Sequence, residues 1–256
     1  MSTTHLRNRC SRRLRRQRVA PQSPLSSGVM FRCAMSNQSA DTFIQHFENQ
    51  LHIIRLVDSV LHRKILYAAT LDPFSRACFG KNGTHRDRVS KLIKNLSGWD
   101  SHSRVSLPQL KLNLEQSCEK SNGNFYAEVC SALGGWPEGQ LVRLHQSPEI
   151  DSLKLLAVNE KQIELVARCQ YVNLFYNYRN ALIHEFREPG YGLEFSNDGS
   201  DPYYHGMIDS PWQLVYPVAF FDSLVESVLN NLSEFFEVNS IEPHDQFEFG
   251  STWLSR

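Results

Sequence analysis

Tyr171-Val172-Asn173-Leu174-Phe175-Tyr176-Asn177-Tyr178-Arg179-Asn180-Ala181-Leu182-Ile183-His184 is the stretch on which the reading of this chain turns. Asn159 ahead of it is an N-cap, and Glu188-Pro189-Gly190 behind it is a stop, so the pattern predicts one long helix over 160–186. At 100° per residue, Ile163, Ala167, Tyr171, Leu174, Tyr178, Ala181 and Leu182 share a broad apolar face. Asn173, Asn177, Asn180 and His184 form a narrow polar stripe on another face. Arg179 lies to the far side of that stripe, with Tyr176 between. A solvated helical face normally uses Lys, Glu, Gln and Arg. Asn is a weaker helix former because its side chain competes for the backbone. Three of them in line cost helix stability, a cost that a polar interface or a ligand cleft offsets.

Outward from this helix, the rest of the body also reads as helical. Pro217 opens a last helix over 217–238, with Phe221, Leu224, Val228, Leu232 and Phe235 on one face. A first helix over 42–69 follows from Phe43, Phe47, Leu51, Ile54, Val57, Leu61 and Ile65, capped by Asp41 or Thr42 and ended by Pro73. Histidines 46, 52 and 62 on it read as surface or partly buried groups. Thr84, with Asp87 three residues on and Gly98 behind, frames a helix over 85–97. Residues 98–158 read as an insertion holding short helices: one after Ser106-Leu107-Pro108 to about Gln116, one over 124–133, and one after Ser147-Pro148-Glu149 to about Val158. Gly134-Gly135-Trp136-Pro137 is a break. Residues 187–211 form a long loop between the last two helices, and such loops are usually functional or mobile. Trp212-Gln213-Leu214-Val215-Tyr216 reads as an extended core segment under the last helix. Gly190-Tyr191-Gly192 lacks the lysine and strand of a phosphate loop.

The balance of 27 basic and 27 acidic residues hides an asymmetry. Residues 1–35 hold eight arginines and no acid, which leaves 19 basic against 27 acidic residues in the remainder. The organisation is a disordered basic arm over 1–40, a helical domain over 41–238 and a tail over 239–256. The arm has three open readings: a transit peptide, an extension upstream of a start at Met30 or Met35, and an RNA tether. Ser11-Arg12-Arg13 resembles a twin-arginine export signal, but Pro21 and Pro24 stand where an apolar run would follow. An acidic body argues against strong nonspecific nucleic-acid binding, which rests on many phosphate contacts, without excluding a local cationic cleft. No window has the apolar length of a membrane helix. The cysteines at 10, 33, 78, 118, 130 and 169 are scattered, with no pairing typical of zinc. They fit free thiols in a reducing cytoplasm, and no metal or other cofactor is expected.

Arg179-Asn180-x-x-x-His184 resembles the R-x4-H signature of the HEPN superfamily, whose members often carry Asn after the Arg. The setting is similar too: the motif ends a long helix, and a loop and a final amphipathic helix follow. The resemblance covers these helices and the first one, and leaves out the arm and most of 98–158. It implies a mainly α fold: a HEPN-like helical bundle with an inserted helical and loop region and a long loop between the last two helices. It also implies a homodimer whose motif helices share a cleft, and a metal-independent endoribonuclease that cleaves RNA by 2′-hydroxyl attack. His184 would move protons, Arg179 would hold the phosphate with its planar fork, and Asn180 would orient His184 or the substrate. Asn173, Asn177 and Tyr176 are further substrate-binding candidates.

Tyr203 and Tyr204 can stack on bases, and His205 can serve as a second acid or base, unless the loop is simply packed by its own tyrosines. Arg179 and His184 focus poorly on one phosphate from one helix, so Arg179 of one copy is expected near His184 of another. Glu185 either supports Arg179 across that pairing or is a solvated acid. Members paired with an antitoxin often continue as His-x-Tyr; here the residues are His184-Glu185-Phe186. The role implied by the resemblance is a growth-arresting toxin or antiviral defence effector, restrained by an inhibitory protein partner. The alternative is a non-catalytic HEPN module that binds nucleotide or protein, and a third is a helical scaffold in which Arg179 bonds a core carboxylate.

Overall fold

The computed structural model describes residues 27–117, 119–121, 123–194, 199–206 and 212–247, with side chains from Gln38 onward. Among them the chain is mainly helical: α1 Ser27–Arg55, α2 Val60–Phe79, α3 His85–Leu96, α4 Leu107–Gln116, α5 Phe125–Gly134, α6 Ile150–Leu156, α7 Glu160–Arg168, α8 Tyr171–Glu185 and α9 Val218–Val238. Strands β1 Leu141–Arg143, β2 Tyr203–His205 and β3 Gln213–Val215 make a three-stranded antiparallel sheet in that order. No helix among the described residues is long and apolar enough to cross a membrane. Of the arm expected over 1–40, residues 1–26 lie outside the described part, and the backbone from Ser27 onward is helical within α1, so the expected arm does not cover 27–40.

The principal core lies between α1, α2, α3, α8 and α9. Phe43, Leu71, Phe74, Leu92, Phe175, Leu182, Phe221, Leu224 and Val228 are buried together there. The helix expected over 42–69 is two helices. Leu56 and Val57 close α1 with bonds to Ile53 and Ile54, and Ser59 restarts the chain as the N-cap of α2, accepting from the His62 amide. The apolar spacing runs on across this break because α1 and α2 both face the one core. Pro73, expected to end a helix, lies inside α2 instead. Its missing donor is tolerated because Leu71, Phe74 and Ala77 around it are fully buried, so packing outweighs one lost backbone bond. Gly80, with φ 61°, ends α2.

The helix expected over 160–186 is also two. Asn159 caps α7 by accepting from the Gln162 amide. Gln170 is extended and bridges to Val105, while the Cys169 carbonyl accepts from Ser106 and the Tyr171 amide donates to Arg104. These tertiary bonds take backbone groups that a continuous helix needs, so the helix stops and restarts. Leu165, Val166 and Cys169 therefore join Val105, Leu110, Leu114, Phe125 and Val129 in a second core. The second core thus draws on α7, beyond residue 158. The loop expected over 187–211 contains β2, which pairs Val142 with Tyr204 on one side and Tyr204 with Leu214 on the other. Trp212-Gln213-Leu214-Val215-Tyr216 is extended and packs under α9, as its pattern predicts. The tail turns back at Pro243–Gln246, where Arg76 Nε donates to the Gln246 carbonyl; residues 248–256 lie outside the described part.

The helix read over 85–97 is α3, with Gly98 behind it at φ 65°. Its capping box is complete: the Asp87 amide donates to Thr84 Oγ1, and the Thr84 amide donates to Asp87 Oδ2. Thr84→Ala is expected to lower the unfolding free energy by about 1 kcal/mol, read from urea denaturation at neutral pH. The Thr84 hydroxyl, then its backbone amide, holds the Asp87 carboxyl below the usual carboxylate range. A carboxyl depressed in the folded state stabilises above its unfolded pKa and loses that contribution as pH falls through the folded one. Acidification should therefore narrow the gap between the wild type and Thr84→Ala.

Candidate functional site

The face of α8 is set by burial. Tyr171, Val172, Phe175, Tyr178, Ala181 and Leu182 turn into the cores, which leaves Tyr176, Asn180 and Ile183 half-buried and Asn177 and His184 exposed. Asn173 is tied back to the preceding turn, its Nδ2 donating to the Ala167 carbonyl at 2.9 Å, so it is a structural group. Arg179 departs from its expected position. Its side chain is only 3% exposed and turns toward α2, where NH2 donates to Asp72 Oδ2. NH1 donates to Asn180 Oδ1 at 2.9 Å, while Nε is buried without a partner among the described residues. Arg179 thus does not present an open fork to a phosphate. It positions two neighbours, and the carboxylate it bonds is half-exposed rather than the core carboxylate of the third reading.

That carboxylate is shared. Asp72 Oδ1 lies 2.7 Å from His85 Nε2, and His85 Nδ1 lies 3.0 Å from the Tyr176 hydroxyl. Asp72 and His85 are 39% and 35% exposed, so the chain Arg179–Asp72–His85–Tyr176 runs from the interior to the surface. Arg86 extends it, its guanidinium 5.5 Å from the centre of the Tyr176 ring. Asp72 is held in the second half of α2, directly before Pro73, His85 is the first residue of α3, and both helices pack on α8. Neither residue stands out by motif. The available signal was that Asp72 is the only acid between Ser59 and Arg86, set in an apolar run directly before Pro73.

Asn180 is one turn before His184, as its spacing predicts. Because its Oδ1 faces Arg179, its amide Nδ2 is the donor left for a ligand. The His184 side chain makes no hydrogen bond among the described residues and stands at the exposed end of α8. Phe186 follows as the C-cap at φ 54°, a left-handed conformation uncommon for a non-glycine residue, and the residue is 63% exposed. Glu185 pairs with Arg187 at 2.5 Å.

The candidates in the loop are not brought to this line. Tyr203 and Tyr204 are buried in β2; Tyr203 donates to the Leu193 carbonyl at 3.1 Å, and Tyr204 meets Ser106 Oγ at 2.5 Å. Their faces pack against protein, among them the Trp136 ring 5.1 Å from that of Tyr204, so they offer no platform to a base. Burial also drives the Tyr204 hydroxyl well above its ordinary value. His205 is half-buried at the end of β2, opposite Leu141 and Gln213. Burial pushes the thiols of Cys78 and Cys169 up to about 12, which keeps them neutral and unreactive. A cleft of about 430 Å³, lined by Trp99, Arg143, His145, Asp201 and Ser227 among others, includes no residue of α8.

Comparison of the chain with protein-family models, with curated proteins and with solved structures finds no match.

Proposed function

We propose that the chain is a metal-independent endoribonuclease of HEPN type, cutting RNA at the exposed line of α8 by attack of the substrate's own 2′-hydroxyl. The observation that carries this reading is the ordering of Asn180 by Arg179 one turn ahead of an exposed His184. Such a line offers a fixed donor to a phosphate oxygen and a proton-transfer group beside it. No protein nucleophile is needed, because the substrate supplies its own. Arg179 acts here as a positioning residue, holding Asn180 and Asp72 rather than the phosphate. A cytoplasmic growth-arresting effector in defence or stress, restrained by a protein partner, is the corresponding biological role.

A second reading has its own observation. Arg179 is buried and already faces a carboxylate, which suits a non-catalytic HEPN module that binds nucleotide or protein through the same exposed line. Pairing of two copies belongs to both readings. Its basis is no longer an Arg179 reaching across to another chain, but the exposed Asn177 and His184 along α8 and Phe186 at its C-cap.

Incubation of the full chain with structured RNA in excess chelator tests the proposal. Cleavage is expected, with His184→Ala slowing it by roughly 10²–10⁴-fold, the usual range for a proton-transfer group, at an unchanged melting temperature. Absence of cutting by a chain that still sediments as a dimer would select the second reading.

A further inference from the structure

We infer that the Tyr176 hydroxyl, backed by His85 and Asp72, is the base that takes the proton from the attacking 2′-hydroxyl. This rests on the ribonuclease reading above and assigns a group that reading lacks. In-line displacement at phosphorus puts the attacking and leaving oxygens on opposite sides, and each needs a proton transfer. One imidazole at His184 cannot serve both sides in the same step.

The direction of the hydrogen bonds follows from the donors available. An ionised Asp72 carboxylate only accepts, so His85 Nε2 carries the ring proton. His85 Nδ1 then holds a lone pair, and the Tyr176 hydroxyl must donate to it. The free capacity of the Tyr176 oxygen is therefore as an acceptor. Arg86 over the ring stabilises the electron density that builds up as the phenolic proton moves away.

Spacing places this oxygen on the correct side. Tyr176, Asn180 and His184 recur every four residues, so each step turns about 40° and rises about 6 Å along α8. A phosphate on the Asn180 amide thus has Tyr176 one turn to one side and His184 one turn to the other. The Cα atoms of Tyr176 and His184 are about 12 Å apart on an ideal helix. That span accommodates an in-line phosphorus with a hydrogen bond of about 2.8 Å at each end.

The 2′-hydroxyl proton passes to Tyr176 Oη as the tyrosine proton passes to His85 Nδ1, leaving an imidazolium against Asp72. The 2′-oxygen forms its bond to phosphorus, and the bond from phosphorus to the 5′-oxygen breaks. The 5′-oxygen keeps the electron pair and takes a proton from protonated His184. A 2′,3′-cyclic phosphate and a 5′-hydroxyl leave, and proton exchange with water restores both histidines. Tyr176 and His184 touch the reacting atoms; His85 and Asp72 are positioning residues.

The test uses the full chain in excess chelator with two substrates: an oligoribonucleotide, and uridine 3′-(4-nitrophenyl phosphate), whose leaving group departs without a proton. Tyr176→Phe is expected to lower kcat on both by roughly 10²-fold or more, with KM and melting temperature retained. His184→Ala should lose the oligoribonucleotide reaction and keep most of the nitrophenyl ester reaction. His85→Ala should fall on both and recover in part with added imidazole, which a loss of packing would not do. Tyr176→Phe cutting both substrates at the wild-type rate would overturn the relay and leave the ribonuclease reading standing. A wild-type chain that cuts neither substrate would overturn both.

Discussion

Asp72→Asn is expected to lower the rate of RNA cleavage by roughly 10²–10⁴-fold, a larger loss than its effect on folding explains. The variant keeps the size of the side chain but changes what it can accept. One oxygen remains to bond Arg179, which places the new Nδ2 donor against His85 Nε2. The imidazole then shifts its proton to Nδ1, and the Tyr176 hydroxyl no longer has an acceptor there. In a catalytic triad the same exchange leaves the wrong tautomer and lowers kcat by about 10⁴-fold. Folding suffers as well, because Arg179 loses its counter-charge. Breaking a buried pair costs about 3–5 kcal/mol. Asp72 is 39% exposed, so solvent screening brings the expected loss nearer 1–3 kcal/mol. Rates measured below the melting transition, with folding checked by circular dichroism, separate the two effects.

The largest loss of stability is expected away from the motif, at Lys64. This side chain is fully buried, and its Nζ lies 2.8 Å from Oε2 of both Glu188 and Glu194. The contact with Glu188 is a hydrogen bond; that with Glu194 is a charge contact off hydrogen-bond geometry. Tyr178 also donates to Glu188, and burial together with that carboxylate keeps its hydroxyl protonated far into the alkaline range. Glu194 Oε1 in turn accepts from the Val218 amide at the start of α9. The segment after α8 is thus fastened to α2 and α9 around one ammonium group. Replacing Glu188 and Glu194 together by Ala strands that charge and should cost about 3–5 kcal/mol. Adding Lys64→Met to the double variant removes the charge and should recover most of the loss in urea denaturation. A double variant as stable as the wild type would show that Lys64 reaches water by another route.

What the sequence made legible was whatever depends on local chemistry. Ser106, Asn159 and Thr84 cap helices where their spacing places them, and the apolar stripe of the last helix packs as its period requires. Both misses are breaks inside apolar patterns that carry on in phase. The Cys169–Gln170 break is made by the distant partners Arg104, Val105 and Ser106, whereas the Leu56–Ser59 break is local, closed on Ile53 and Ile54 and restarted by the Ser59 cap. A periodicity count sees only the face and not the bonds that cut it.

The candidate site divides in the same way. His184, Asn180 and Tyr176 were visible because they recur on one helix. Asp72 and His85 were not, since they lie 107 and 91 residues from their partners Arg179 and Tyr176. Projection also placed Arg179 away from the Asn stripe, which was correct for its Cα and misleading for its function. The side chain goes inward and reaches the stripe through Asn180. The three aromatic and imidazole groups at 203–205 looked like a loop because Gly, Asp and Asn surround them. Their strand forms only through pairing with β1 and β3.

The most direct measurement is the identity of the ends left when the full wild-type chain cuts RNA in excess chelator. Cleavage by the exposed line of α8 predicts 2′,3′-cyclic phosphate and 5′-hydroxyl ends, and no cutting where the 2′-hydroxyl at the scissile position is replaced by hydrogen. Ends bearing a 5′-phosphate, or cutting that persists without the 2′-hydroxyl, would contradict it.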